Sequence, residues 1–375
     1  MRIGILSMQR ILNYGSFFQA YSLKSILEAM GHEVSFVDYK VGWTIDTVRH
    51  YKTVKLRYLR MAKRMLLHPH RYGKEEKEPL YRYFLPCYEM LGLSREYHFR
   101  EKVDVLVIGS DEVFNCLQKN PDVGYSLELF GKDSRAEKLI SYAASFGDTT
   151  IKRLEEYGVG KEIGSYLERF DAISVRDGNS AEIIRHLCGR EPCQHFDPAL
   201  VAGLEEMEWA ECKRNSFMIV YGYYRRFSEE EGNTIMAFAE KQGLKVIILN
   251  APQVFGDEFI RCRPDEILGY FKEADYVVTD TFHGTIFSVL YHRQVAVFCR
   301  SSRNTDYSNE NKLLDLIRKL QLESQIVKDP EDLERALLHV INYDMVDQTR
   351  AQERKRALSY LRKECGGKDA GPADL

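Results

Sequence analysis

The residues Thr279-Asp280-Thr281-Phe282-His283-Gly284-Thr285 put an imidazole where two elements meet. The apolar run Tyr276-Val277-Val278 before them reads as a buried strand, and Ile286-Phe287-Ser288-Val289-Leu290-Tyr291 after them as the first turns of a buried helix. A histidine can hold or move a proton near neutral pH, and a helix N-terminus beside it presents N–H groups to anions. The placement therefore suits an anionic ligand at the strand end, with Gly284 allowing a close approach. A tight βα turn without chemistry is the alternative reading.

Three other junctions place reactive side chains in the same way. Arg2-Ile3-Gly4-Ile5-Leu6 reads as a first strand, followed by Asn13, Tyr14, Gly15 and Ser16 and a helix through Ala20, Leu23, Ile26 and Leu27. Ser16 is expected to cap that helix, and Gly15 to let the backbone approach a ligand. The dinucleotide fingerprint G-x-G-x-x-G does not occur at this turn. The run Val103-Asp104-Val105-Leu106-Val107-Ile108 delivers Asp111, either a helix cap or a catalytic carboxylate, with Glu112 beside it. The strand Ala172-Ile173-Ser174-Val175 ends in Arg176, whose planar fork can pair with Asp177 or another acid, or grip a phosphate or carboxylate.

These junctions need a scaffold of strands alternating with helices, which predicts an α/β protein with parallel, helix-covered sheets. The 375 residues suggest two cores. Residues 1–205 form the first expected domain and 206–330 the second. A helical segment follows over 331–362, and a disordered tail over 363–375. A formal net charge of −3 gives no global signal for nucleic acid. The eight cysteines show no zinc-type spacing, so no metal site is expected. No signal-peptide pattern opens the chain, and the thiols are expected to be reduced in the cytoplasm. No apolar run is long enough to span a bilayer. One stretch departs from the average: between Arg49 and Lys74 basic residues, among them Arg57, Arg60, Lys63 and Arg64, meet no acid, with leucines interleaved at helical spacing. Such a stretch suits the anionic inner face of a membrane or the diphosphate of a lipid-linked glycan; a solvated helix packed on the core accounts for it equally.

Taken together, Asn13-Tyr14-Gly15-Ser16 with Gln19-Ala20, Ile108-Gly109-Ser110-Asp111, Ser141-Tyr142-Ala143-Ala144-Ser145-Phe146-Gly147, Ser174-Val175-Arg176, Asp197-Pro198-Ala199-Leu200 and the histidine segment resemble the polysaccharide pyruvyl transferase family. Their order and spacing agree with it from the first strand to about residue 330. Thr281 stands where the family often has Ser, Glu112-Val113-Phe114 where it often has Gln-Val-Trp, and Lys312 near a frequent arginine.

The resemblance implies two Rossmann-like domains facing across a cleft, glycosyltransferase-B-like, with the last helix returning to the first domain. It implies phosphoenolpyruvate as donor, no cofactor, and a glycan acceptor, carried on a lipid such as undecaprenyl diphosphate, on which a pyruvate ketal is formed. Arg176, with Phe282, His283, Gly284, Thr285, Asn13, Gly15 and Ser16, would bind the donor anion. His283 would act as acid or charge stabiliser and Asp111 as base, and the basic stretch would meet the acceptor or the membrane. A nucleotide-sugar glycosyltransferase and a non-catalytic glycan-binding protein are the rival readings.

Overall fold

The computed structural model describes residues 1–45, 74–99, 102–299 and 310–367. The basic stretch with Arg57, Arg60, Lys63 and Arg64 lies outside these described residues, as does the chain beyond residue 367; the expected disordered tail over 363–375 is corrected at its start, where residues 363–365 continue the final helix.

Two six-stranded sheets carry the fold. The first contains β1 (Arg2–Leu6), β2 (Glu33–Phe36), β3 (Val105–Asp111), β4 (Lys138–Ala144), β5 (Ser174–Val175) and β6 (Cys193–Gln194), in the order β2-β1-β3-β4-β5-β6. The second contains β7 (Phe217–Gly222), β8 (Lys245–Asn250), β9 (Glu258–Phe259), β10 (Tyr276–Thr279), β11 (Gln294–Phe298) and β12 (Ile326–Val327), in the order β12-β11-β10-β7-β8-β9. The strand pairs in both sheets are parallel, which bears out the expected pair of Rossmann-like domains. β3 and β7 are buried along almost their whole length, because helices cover both faces of a parallel sheet and leave no polar alternation to read. The short strands β6, β9 and β12 escape a sequence reading, since two residues have no period.

The strand order fixes where a ligand can sit. It reverses between β1 and β3 in the first sheet, and between β7 and β10 in the second. At such reversals neighbouring crossovers leave in opposite directions, and a crevice opens beyond the carboxyl ends of the strands. Five helices frame these crevices: α1 (Tyr14–Ala29), α2 (Gly178–Cys188), α3 (Pro198–Val201), α4 (Phe282–Leu290) and α5 (Glu310–Lys319), while α6 (Asp332–Leu338) packs on β11 and β12.

An aromatic seam sets the two crevices face to face. Phe18 on α1 meets Phe287 on α4 edge-on, with ring centroids 5.3 Å apart. Tyr14 donates its hydroxyl to the carbonyl of Cys262 at 2.7 Å. Each such aromatic pair contributes roughly 0.5–1.5 kcal/mol beyond its buried area. The helical pattern after residue 331 is interrupted: α6 ends at Leu338, and α7 (Tyr343–Cys365) begins after a short break. α7 returns to the first domain, as expected. Its Tyr360 hydroxyl donates to the Ser141 carbonyl at 2.9 Å, and Glu364 pairs with Lys138 at 2.8 Å.

Candidate active site

On the second domain, β10 ends at Thr279 and Thr281 caps α4, its Oγ1 accepting from the Gly284 N–H at 2.9 Å. Thr279 Oγ1 donates to the Tyr221 carbonyl at 2.7 Å and ties this turn to β7. The Thr285 N–H donates to the Thr281 carbonyl at 3.2 Å. The N–H groups of Gly284 and Thr285 are thus spent in building the turn and are not free for an anion, contrary to the expectation for them. A Cβ on Gly284 would fall 2.3 Å from Thr279 Oγ1, which explains the glycine without a ligand. Phe282 and His283, one and two residues past the cap, do line the cavity between the domains. The neighbouring Asp280 is fully buried and pairs with Arg226 at 3.1 Å.

The first domain supplies the opposite wall. Asn13, not Ser16, caps α1: its Oδ1 accepts from the N–H groups of Gly15 and Ser16 at 2.9 and 3.3 Å. Those donors are therefore also committed, and the helix start does not offer them to an anion. Gly15 has a different reason to be glycine. A Cβ there would lie 2.0 Å from Nδ1 of His283, so the missing side chain admits the imidazole from the other domain. Ser16 sits in the first turn and donates its hydroxyl to Asp111 Oδ2 at 2.9 Å. Asp111, the last residue of β3, adopts a left-handed backbone with φ 72°. For a non-glycine residue that conformation costs on the order of 1 kcal/mol or more and persists where its surroundings fix it, often at functional sites. It caps no helix among the described residues.

Arg176 is the centre of the wall. Its side chain is 3% exposed, lies over the Phe282 ring at 4.3 Å, and donates from one terminal nitrogen to Asp197 Oδ2 at 2.7 Å. The same nitrogen stands 3.5 Å from Asp111 Oδ1, and Nε has no hydrogen-bond partner among the described residues. Burial would lower the guanidinium's pKa, but Asp197, Asp111 and Glu112 together raise it above its ordinary value, so the charge is permanent. Asp177 is not its partner: it caps α2 through the Ser180 N–H at 2.8 Å and accepts from Ser145 Oγ at 2.6 Å.

Asp197 is the residue that sequence reasoning misses. His283 Nε2, with no hydrogen-bond partner among the described residues, stands 3.5 Å from the oxygen that Arg176 holds. Burial pushes the Asp197 carboxyl up, but His283 and Arg176 outweigh it and hold the group down at about 2. Its other oxygen caps α3 by accepting from the Ala199 N–H at 3.0 Å. The Asp-Pro dipeptide advertises that capping role and hides the second one. Beside this group, Glu112 pairs with Lys312 of α5 across the cleft and accepts from Asn115 Nδ2 at 2.7 Å.

The cavity measures about 700 Å³ and is lined by Asn13, Ser16, Asp111, Arg176, Phe282 and His283 among others. It lies within the range of roughly 300–1,000 Å³ common to small-molecule sites. A buried guanidinium and an imidazole meet there with several carboxylates, an arrangement that can orient a small anion and move protons beside it. Among the described residues no group of three or more His, Cys, Asp or Glu is placed to hold a metal ion, and no helix is long and apolar enough to cross a membrane.

Comparison with known proteins is consistent in fold and in family. The model of the polysaccharide pyruvyl transferase family matches residues 13–302. Curated proteins gave no match. Among solved structures, UDP-GlcNAc 2-epimerase from Methanocaldococcus jannaschii superposes with a TM-score of 0.50 at 10% identity, over 96% of this chain and 100% of that one. The S. aureus MnaA–UDP complex gives a TM-score of 0.49 at 8% identity, over 96% and 95%. For a mutant O-GlcNAc transferase from Thermobaculum terrenum the TM-score is 0.41 at 12% identity, and this chain, matched over 98% of its length, spans 65% of that one. At such identities the likeness concerns the glycosyltransferase-B-like fold alone.

Replacing Asp197 with Asn leaves Arg176 short of its closest countercharge, and a broken buried pair costs about 3–5 kcal/mol. A carboxyl held below its ordinary 3.8 gives stability that is present above that value and is lost as pH falls toward about 2. In urea unfolding the gap between wild type and Asp197→Asn should therefore be wide at pH 7 and narrower at pH 3. A gap unchanged between these pH values would contradict a charged Asp197.

Proposed function

The chain belongs to the polysaccharide pyruvyl transferase family, and from that membership we propose that it moves the enolpyruvyl group of phosphoenolpyruvate onto two hydroxyls of one sugar, forming a pyruvate ketal and releasing phosphate. The observation that carries this reading is the convergence of Arg176 and His283, which come from different domains and both line the interdomain cavity, on one oxygen of the buried Asp197 behind its wall.

In this reading the Arg176 guanidinium grips the donor's carboxylate or phosphate, with Phe282 supporting its plane. The His283 imidazole delivers a proton to the donor's methylene carbon. Asp111, oriented by Ser16, takes the proton of the sugar hydroxyl that attacks the adjacent carbon. The bonds formed are C3–H and two C2–O bonds; those broken are the C2=C3 π bond, the bond from C2 to the phosphate oxygen, and two O–H bonds. One hydroxyl proton is balanced by the proton placed on C3, and the other leaves with phosphate. The acceptor is a precursor of a surface polysaccharide, carried on a lipid diphosphate and met at the inner face of the membrane. Asn13 and Ser16 line the same cavity.

Phosphoenolpyruvate should raise the melting temperature of the wild type, whereas UDP-sugars should not; the reverse would favour a nucleotide-sugar glycosyltransferase. Arg176→Lys, which lacks the planar fork, should weaken donor affinity by about tenfold or more in the same titration. Unchanged affinity would place the anion elsewhere.

Phosphate release with a galactose-containing acceptor should fall by about 10² to 10⁴ in His283→Ala, with the circular dichroism spectrum retained. Gly15→Ala, which pushes the imidazole aside, should lose about 10². Near-normal turnover in either variant would remove His283 from the chemistry. A wild type that binds the donor without releasing phosphate on any acceptor would indicate a binding protein.

A further inference from the structure

Ketal formation removes two hydroxyl protons, and the mechanism above uses one base. Next to Asp111 the cleft wall is built around a second carboxylate. Asn115 Nδ2 donates to Glu112 Oε2 at 2.7 Å and to Asp148 Oδ1 at 3.1 Å, while Asn115 Oδ1 accepts from Thr149 Oγ1 at 2.9 Å. The amide is thus fixed at both ends and holds Glu112 in one orientation. A Cβ on Gly147 would fall 2.5 Å from Glu112 Oε2, so this glycine, with φ 57°, makes the seat for the carboxylate. The other oxygen of Glu112 pairs with Lys312, which reaches it from α5 in the second domain. Glu112, Asn115, Asp148 and Lys312 all line the cavity that holds Arg176 and His283.

We propose that Glu112 is the base for the second hydroxyl, and that Lys312 keeps it silent until the donor anion draws the lysine away. This rests on the pyruvyl-transfer reading. Burial pushes the Glu112 carboxyl up, but Lys312, then Arg176 and Asn115, hold it at about 2. A carboxylate that acidic is too weak to take a proton from a sugar hydroxyl. A donor carrying a carboxylate and a phosphate competes for the same ammonium group with more charge than one glutamate can offer. Once Lys312 turns to the donor, Glu112 loses its main counterion while it stays buried, and burial then raises its basicity. Among the described residues the groups that face it at that point include Arg176 from the end of β5, Asn115 beside it, and Asp148 on the far side of the Asn115 amide. Glu112 then takes the second hydroxyl's proton as that oxygen bonds to C2, and the C2–O bond to phosphate breaks with its electron pair leaving on phosphate. Together Asp111 and Glu112 receive two protons, His283 supplies one to C3, and the phosphate takes one up on leaving. The arrangement imposes donor before acceptor.

Glu112→Gln separates this role from a structural one. With Lys312 released, the variant should bind phosphoenolpyruvate at least threefold more tightly than wild type by calorimetry, while phosphate release on a galactose-containing acceptor falls by about 10² or more. Turnover within about threefold of wild type, or donor affinity that falls together with turnover, would overturn the proposal. Should Glu112→Gln fail to fold by circular dichroism, Lys312→Met decides the matter: a roughly tenfold loss of donor affinity supports it, and unchanged affinity refutes it. Absence of phosphoenolpyruvate binding in the wild type would instead sink the functional reading itself.

Discussion

One carboxylate oxygen, Asp197 Oδ2, joins the chemistry of the two domains. Arg176 reaches it from the end of the two-residue strand β5 and His283 from the start of α4 on the other sheet. The two groups are far apart in sequence, and among the described residues neither has a closer acid. A buried guanidinium is tolerable only if it is paired, and Asp197 supplies the pairing while α3 fixes the carboxylate through its cap. Strand order, the aromatic seam and the returning helix α7 all serve to keep that meeting point in place.

The seam shows how close the tolerance is. α1 carries Phe18 against Phe287 on one side and presents Gly15 to the imidazole near its start, so one helix both ties the domains together and leaves the space that His283 occupies. Ser16, one residue on, orients Asp111, whose left-handed backbone is a local cost supported by this packing. The cavity is therefore shaped by a few rigid elements, with its charges preset in opposed pairs.

His283, Arg176 and Asp111 are legible in the sequence because each closely follows an apolar run, and the end of a parallel strand is where such folds place their chemistry. The long strands and the domain pair are legible for the same reason: buried runs such as Val105–Asp111 and Phe217–Gly222 have no polar face. What escapes depends on partners remote in sequence. Gly15 reads as room for a ligand because nothing local reveals that an imidazole from the second domain fills the space. Ser16 reads as a cap because Asn13 and Ser16 are both good caps, and only the fold decides between them. Gly284 and Thr285 read as anion donors until the capping threonine is seen to use the glycine's N–H. Asp197 reads as a complete Asp-Pro turn, so its second oxygen attracts no attention.

The most direct measurement is a crystal structure of the wild type with phosphoenolpyruvate. The donor's carboxylate or phosphate should lie within about 3 Å of the Arg176 guanidinium, with its methylene carbon beside the His283 imidazole. Donor density bound away from both groups, or in a different cavity, would contradict it.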